Sequence, residues 1–172
     1  MAWTTPITFV AGAILTAAQQ NVNVRDNTNA LYDATRRLSR TTRTTPYEYS
    51  SSTVGGATNL FATSLSWTAD GTSAYRIEFF CGRVLNAGTA YSSFHLVNNS
   101  GTDLANMSIL WTHLIQTPIS LIYYYTPSAG AVTANFRGIT PGGGGTCTMD
   151  AGTGSAGLLV PIFMNVYGPE IT

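Results

Sequence analysis

Two periodicities divide the chain. From Ala17 an apolar residue recurs at every seventh position, through Val24, Leu31 and Leu38, which is the stripe of a helix that packs along one seam. From residue 59 onward the period falls to two, and short alternating runs are separated by clusters of Gly, Pro, Asn, Asp and Ser, the pattern of strands joined by turns. The first signal predicts one helix over 17–39. The second predicts eight strands, over 59–68, 75–85, 90–98, 104–115, 119–126, 131–137, 146–150 and 158–167.

The start of the helix is written in local chemistry. Thr16 followed by Gln19 is a capping box, in which the Thr hydroxyl accepts from the Gln19 amide and the Gln side chain reaches back. Ahead of it, Pro6 confines Thr5 to extended geometry and Gly12 marks a turn, so 1–13 reads as an extended arm. Gln20, Asn27 and Ala34 fill the other seam positions, leaving a half-polar seam that requires a partner surface. Asn27 either fixes register among assembled helices or faces water on a helix packed against its own β domain. "RRLSRTTRTT", residues 36–45, carries Arg36, Arg37, Arg40 and Arg43. At a helix C-terminus these cations complement the dipole, either as a solvated exit or as a dock for acidic groups on a neighbour. Pro46 ends the segment, and "SSSTVGG" reads as a linker. Three parts follow: an attachment arm and oligomerisation helix over 1–45, a linker over 46–58 and a β domain over 59–172.

Eight strands with no helix between them define a mainly β chain, whose natural closure is an antiparallel, jelly-roll-like sandwich. Alternation puts Leu158, Val160, Ile162, Met164 and Val166 on one core face, and Ala105, Met107, Ile109, Trp111 and Ile115 on another. "ISLIYYYT" is apolar on both sides. That predicts a covered outer face, with Tyr123, Tyr124 and Tyr125 as contacts to another subunit or to a glycan.

Composition narrows the function. Hydrophobic residues make up 44% and charged residues 9%, against about a quarter charged in ordinary domains, and every basic residue is arginine. A surface of Thr, Ser, Asn, Gly and Tyr suits dense assembly. The absence of lysine follows either from that, since lysine is depleted at interfaces, or from GC-rich coding. A net charge of zero removes long-range attraction to nucleic acid or an anionic membrane. With no positive n-region and no run of spanning length, neither secretion nor membrane insertion is expected, and synthesis in a cytoplasm is. Cys81 and Cys147 lack ligand spacing and are either two buried thiols or, should their strands adjoin, a disulfide.

No catalytic pattern emerges. His95 and His113 lie inside strands without an acidic or cysteine neighbour at ligand spacing, and the acids are scattered singly. "PGGGGT" lacks the lysine of a phosphate loop and precedes a strand. The expectation is a non-enzymatic protein without cofactor or metal.

Taken together, Trp3, Pro6, Phe9-Val10, Gly12, Thr16 to Gln19, Asn21, Arg25-Asp26-Asn27 and Asn29 to Leu31 resemble the N-terminal segment of structural proteins of tailed bacteriophages. Gln20 and Thr28 stand where that segment usually has large apolar residues. "SLSWTADGTSAYRIEFFCGRV" and "GTCTMDAGTGSAGLLVPIFMNVYG" are similar to the β domains that follow it. The resemblance implies a virion protein assembled in the host bacterial cytoplasm. It implies a homotrimer that decorates the capsid and contacts the major capsid protein or another virion component. Attachment and oligomerisation then fall to Trp3, Pro6, Phe9, Val24, Asn27, Leu31, Leu38, Arg36, Arg37 and Arg40. The alternative is a minor tail or tail-fibre protein that binds host surface glycan.

Overall fold

Alternation in the sequence becomes a two-sheet sandwich. The computed structural model describes residues 16–29, 31, 36–86, 91–110, 116–141, 145–154 and 159–169. Ten strands occur among them: β1 (Arg37–Arg43), β2 (Tyr47–Tyr49), β3 (Leu65–Ala69), β4 (Tyr75–Asn86), β5 (Tyr91–Val97), β6 (Asp103–Leu110), β7 (Gln116–Tyr125), β8 (Gly130–Ile139), β9 (Cys147–Asp150) and β10 (Ile162–Tyr167). All described pairings are antiparallel. One sheet runs β1-β10-β4-β7, and the other β3-β8-β5-β6. The long β4 carries β7 along one side, and on the other it pairs first with β10 through 76–80 and then with β9 through 83–86. β2 extends the first sheet beyond β9. Without β2 and β9, the order is that of a jelly roll.

The eight expected strands correspond in place to β3 through β10, and the two additional ones correct the reading of the front end. Residues 37–43 are not the end of a helix. Here Leu38 and a run of β-branched threonines meet the open edge of β10, with Arg40 opposite Asn165 and Arg43 opposite Ile162. Leu38 packs against the core, the Arg40 guanidinium lies 4.8 Å from the Phe163 ring centroid, and Arg43 donates to the carbonyls of Thr45, Leu60 and Pro46, each at 2.8 Å. Tertiary pairing of this kind overrides a weak helix preference. Arg36 sits in the bend before the strand, and Arg37 opposite Tyr167.

The expected linker is likewise part of the body. Where β3 has ended, the chain from 51 to 64 takes its place beside β8. Leu60 N–H donates to the Phe136 carbonyl at 2.8 Å and Thr140 N–H to the Ser51 carbonyl at 2.8 Å. The Asn135 amide clamps Phe61 from both directions, accepting from its N–H at 3.1 Å and donating to its carbonyl at 2.9 Å.

The core is a column of rings between the sheets. Phe79 of β4 stacks on Phe136 of β8 at 3.8 Å, Phe136 on Phe94 of β5 at 5.8 Å, and Phe94 meets the edge of Tyr49 of β2 at 6.1 Å. Gly138 makes the last contact fit, because a Cβ there would lie 2.9 Å from the Tyr49 ring. The Tyr49 hydroxyl donates to Ser92 Oγ at 3.0 Å, and Ser92 lies 3.5 Å from Cys147 Sγ. Neither cysteine is in a disulfide, and both are buried. Burial pushes the Cys81 thiol up to about 11, so it stays protonated and inert at neutral pH.

The helical segment begins as expected. α1 (Ala17–Gln20) carries the capping box, with Gln19 N–H donating to Thr16 Oγ1 at 3.3 Å and Thr16 N–H to Gln19 Oε1 at 2.9 Å. It then widens into a π-helical stretch over Asn21–Asp26. Val24 is 65% and Leu31 50% exposed, whereas Asn27 is buried. The extended arm, with Trp3, Pro6 and Phe9, lies outside the described residues, as does His113.

Two face assignments need correction. Val160 is 45% exposed, because the strand starts only at Ile162, after a proline that has no N–H for the ladder. β7 is not buried on both faces of this chain. Ile119, Leu121 and Tyr123 point into the core, while Ile122 and Tyr124 stand 55% and 63% exposed. Phe136→Ala should lower the unfolding free energy by about 3–5 kcal/mol in a denaturant titration, whereas Ile122→Ser should change it by less than about 0.5 kcal/mol.

Candidate ligand-binding cleft

At one end of the sandwich, the β5–β6 turn and the loop from β7 to β8 enclose a cleft of about 310 Å³. Asn98, Asn99 and Ser100 form one wall, and Tyr125, Ser128 and Thr133 the facing one. The lining contains no acid, base or histidine.

Local chemistry fixes the first wall. Asn98 N–H donates to the Thr102 carbonyl at 3.0 Å, Gly101 N–H to the Asn98 carbonyl at 2.9 Å and Thr102 N–H to Asn98 Oδ1 at 2.8 Å. Gly101 has φ +80°, and a Cβ at this position would lie 2.8 Å from Arg137 Nη1, so only glycine fits. Arg137 is itself tied to Asn59 Oδ1 at 2.8 Å and to the Val54 carbonyl at 2.7 Å.

Beneath the turn lies a constellation that sequence spacing missed. Ser93 Oγ is 2.8 Å from His95 Nε2, and His95 Nδ1 is 2.7 Å from Asp103 Oδ2. With Nδ1–H donated to the carboxylate, Nε2 accepts from the serine. Asn106 adds a long contact to the same carboxylate oxygen at 3.4 Å. The order matches nucleophile, base and orienting acid, but Ser93 is 3% and His95 7% exposed, so no carbonyl substrate reaches the hydroxyl. In this arrangement the relay acts as a brace, locking β6 to β5 directly under the turn. The signal was legible: Ser93 and His95 are two apart on one strand face, and "NNSGTD" folds Asp103 back beside Val97.

The facing wall is held from the β3–β4 turn. Gly71 has φ +86°, and a Cβ there would lie 2.7 Å from the Ala129 nitrogen. That turn is organised by Asp70, whose carboxylate accepts from Thr72 N–H at 3.0 Å, Ser73 N–H at 2.8 Å and Ser73 Oγ–H at 2.6 Å. The Ser73 bonds, with a lesser one from Thr72, lower this carboxyl to about 2.

The three adjacent tyrosines separate. Tyr123 faces inward, its hydroxyl buried without a hydrogen-bond partner, and burial, reinforced by the Asp103 charge, raises its pKa. Tyr124 stands on the outer face, and Tyr125 enters the cleft wall. Tyr123 is therefore withdrawn from any surface contact in this arrangement. A second cleft, of about 430 Å³ beside β2, offers less. Its two rings, Tyr47 and Tyr49, are buried and spend their hydroxyls on Thr58 and Ser92. Among the described residues no group of His, Cys, Asp and Glu could hold a metal ion, and no helix is long and apolar enough to cross a membrane.

No protein-family model matches the chain, and no curated protein sequence does. Solved structures show distant likeness. A carbohydrate-binding module (CBM6cm-2) of Cellvibrio mixtus lichenase 5A, in complex with cellotriose, is 12% identical with a TM-score of 0.38, covering 79% of this chain and 92% of that one. The VP2 subviral particle of infectious bursal disease virus is 14% identical with a TM-score of 0.31, covering 79% and 38%. The enzymatically active domain of bacteriophage CBA120 tailspike protein 4 is 14% identical with a TM-score of 0.28, covering 73% and 18%. The chain thus spans well under half of the capsid and tailspike chains. Likeness at this level concerns the general kind of β fold.

Two measurements check the cleft's framework. His95→Leu removes both bonds of the brace and withdraws the imidazole from the Asp103 carboxylate, which should cost about 1–3 kcal/mol in chemical denaturation. In a carboxyl NMR titration Asp70 should protonate near pH 2. Its folded pKa lies below the unfolded one, so its contribution to stability is present above about pH 4 and lost as pH falls through about 2.

Proposed function

We propose that the chain is a non-enzymatic structural protein of a tailed-bacteriophage particle. In this reading it is a trimeric capsid decoration protein, held to the major capsid protein or another virion component by its N-terminal arm and helix, with the sandwich projecting. One observation carries the proposal: Val24 and Leu31, seven residues apart on the helical segment, are 65% and 50% exposed. Large aliphatic side chains each gain about 1.5–3 kcal/mol on full burial, so a helix presenting two of them at this spacing is built for a surface outside its own chain.

Two further features support the assignment. The front end resembles the segment found in tailed-phage structural proteins. The outer face beyond β7 adds Ile122 and Tyr124, residues of a kind enriched at interfaces. Arg36, Arg37 and Arg40 lie at the start of the body, in the bend before β1 and in β1 itself.

The test is the molar mass of the purified chain by light scattering, together with its copy number and position on purified particles. The expected result is a trimer present in many copies over the shell. Val24→Glu with Leu31→Glu should yield monomers that no longer bind particles while the thermal midpoint of the sandwich stays unchanged. A few copies confined to the tail would favour the tail-fibre alternative, and absence from particles would remove the virion assignment.

A further inference from the structure

The geometry points to the cleft between the β5–β6 turn and the β7–β8 loop as a binding site for a neutral saccharide. This inference does not depend on where the helix attaches. Its first support is the kind of lining. Every polar side chain there is an amide or a hydroxyl, and no charge is present. An anion or cation would find no counter-charge in the cleft, and a purely apolar ligand would leave the amides unpaired. A polyhydroxylated, uncharged molecule meets both conditions.

The second support is unspent hydrogen-bonding capacity. Asn98 uses Oδ1 on Thr102 N–H, which leaves its amide N–H groups for a ligand. Among the described residues, the side chains of Asn99, Ser100, Ser128 and Thr133 have no hydrogen-bond partner. These groups come from both walls and so converge on the space between them. Tyr125, half-buried and packed against the core, adds a ring against which the C–H face of a sugar can lie. A volume of about 310 Å³ falls at the small end of ligand pockets, which start near 300 Å³.

The third support is preorganisation. The Asn98–Thr102 bonds, the Gly101–Arg137 contact and the His95–Asp103 brace hold one wall. The other passes close against Gly71 of the β3–β4 turn, where a side chain would meet Ala129. Walls fixed before binding lose little entropy when a ligand enters, so even a small cleft can select a ligand.

The test uses the full chain, isotope-labelled, titrated to saturation with neutral trisaccharides of glucose, galactose and mannose, and with a uronic acid trisaccharide as the charged control. The inference expects a neutral sugar to shift the amides of 98–101 and 125–129, with no shift from the uronate. Tyr125→Ala should weaken that binding about tenfold, equivalent to about 1.4 kcal/mol. Because Tyr125 also touches the core, Asn99→Ala at the exposed tip of the turn serves as the second variant and should weaken binding without altering the fold. The inference is overturned if no neutral trisaccharide shifts the cleft amides at saturation, if the shifts fall elsewhere, if the uronate binds equally well, or if both variants bind as the parent does.

Discussion

The stack of Phe79 on Phe136, 3.8 Å apart and nearly coplanar at 6°, is the contact on which the rest of the molecule depends. It joins the central strand of one sheet to an inner strand of the other. β4 holds β10, β9 and β7, and β8 holds β3, β5 and the ordered 51–64 segment. A hydrophobic core of two facing sheets is stable only when both inner faces interdigitate, and here the ring column from Phe79 to Tyr49 provides that. Gly138 is its counterpart, the missing side chain that lets Tyr49 complete the column.

That core makes the ends of the sandwich dependable platforms. The cleft is built from turns, yet the β5–β6 turn is set against the strands beneath it, Gly101 against Arg137 on β8 and Asp103 bonded to His95 on β5, and the β7–β8 loop passes close to Gly71 of the β3–β4 turn. Function on loops held by a rigid scaffold is a general arrangement. At the other extreme, the helical segment shows Val24 and Leu31 to solvent. The proposed attachment and the proposed recognition thus use separate parts of the chain.

Much of this was legible in the sequence, and the failures have physical causes. The period-two runs gave the places of β3 through β10, and Thr16 with Gln19 gave the helix start, because both are local signals. The helix was carried too far because Leu38 continues the seven-residue spacing of Ala17, Val24 and Leu31. Only the open edge of β10, formed by residues more than a hundred positions later, draws 37–43 into a strand. β2 and the 51–64 segment were hidden for the same reason, since their partners are Met149 and Asn135. The cleft could not be read as a unit, because Asn98, Tyr125 and Thr133 converge only when the sandwich closes. His95 was read as isolated although Asp103 was a hairpin away.

In the proposed assembly the helix gains its order from the partner surface while the sandwich holds its own. Amide hydrogen exchange on the assembled and the dissociated protein tests it most directly. Residues 17–29 should be strongly protected only when assembled, with β4, β5 and β8 equally protected in both states. Equal protection of 17–29 in the dissociated chain would contradict the account.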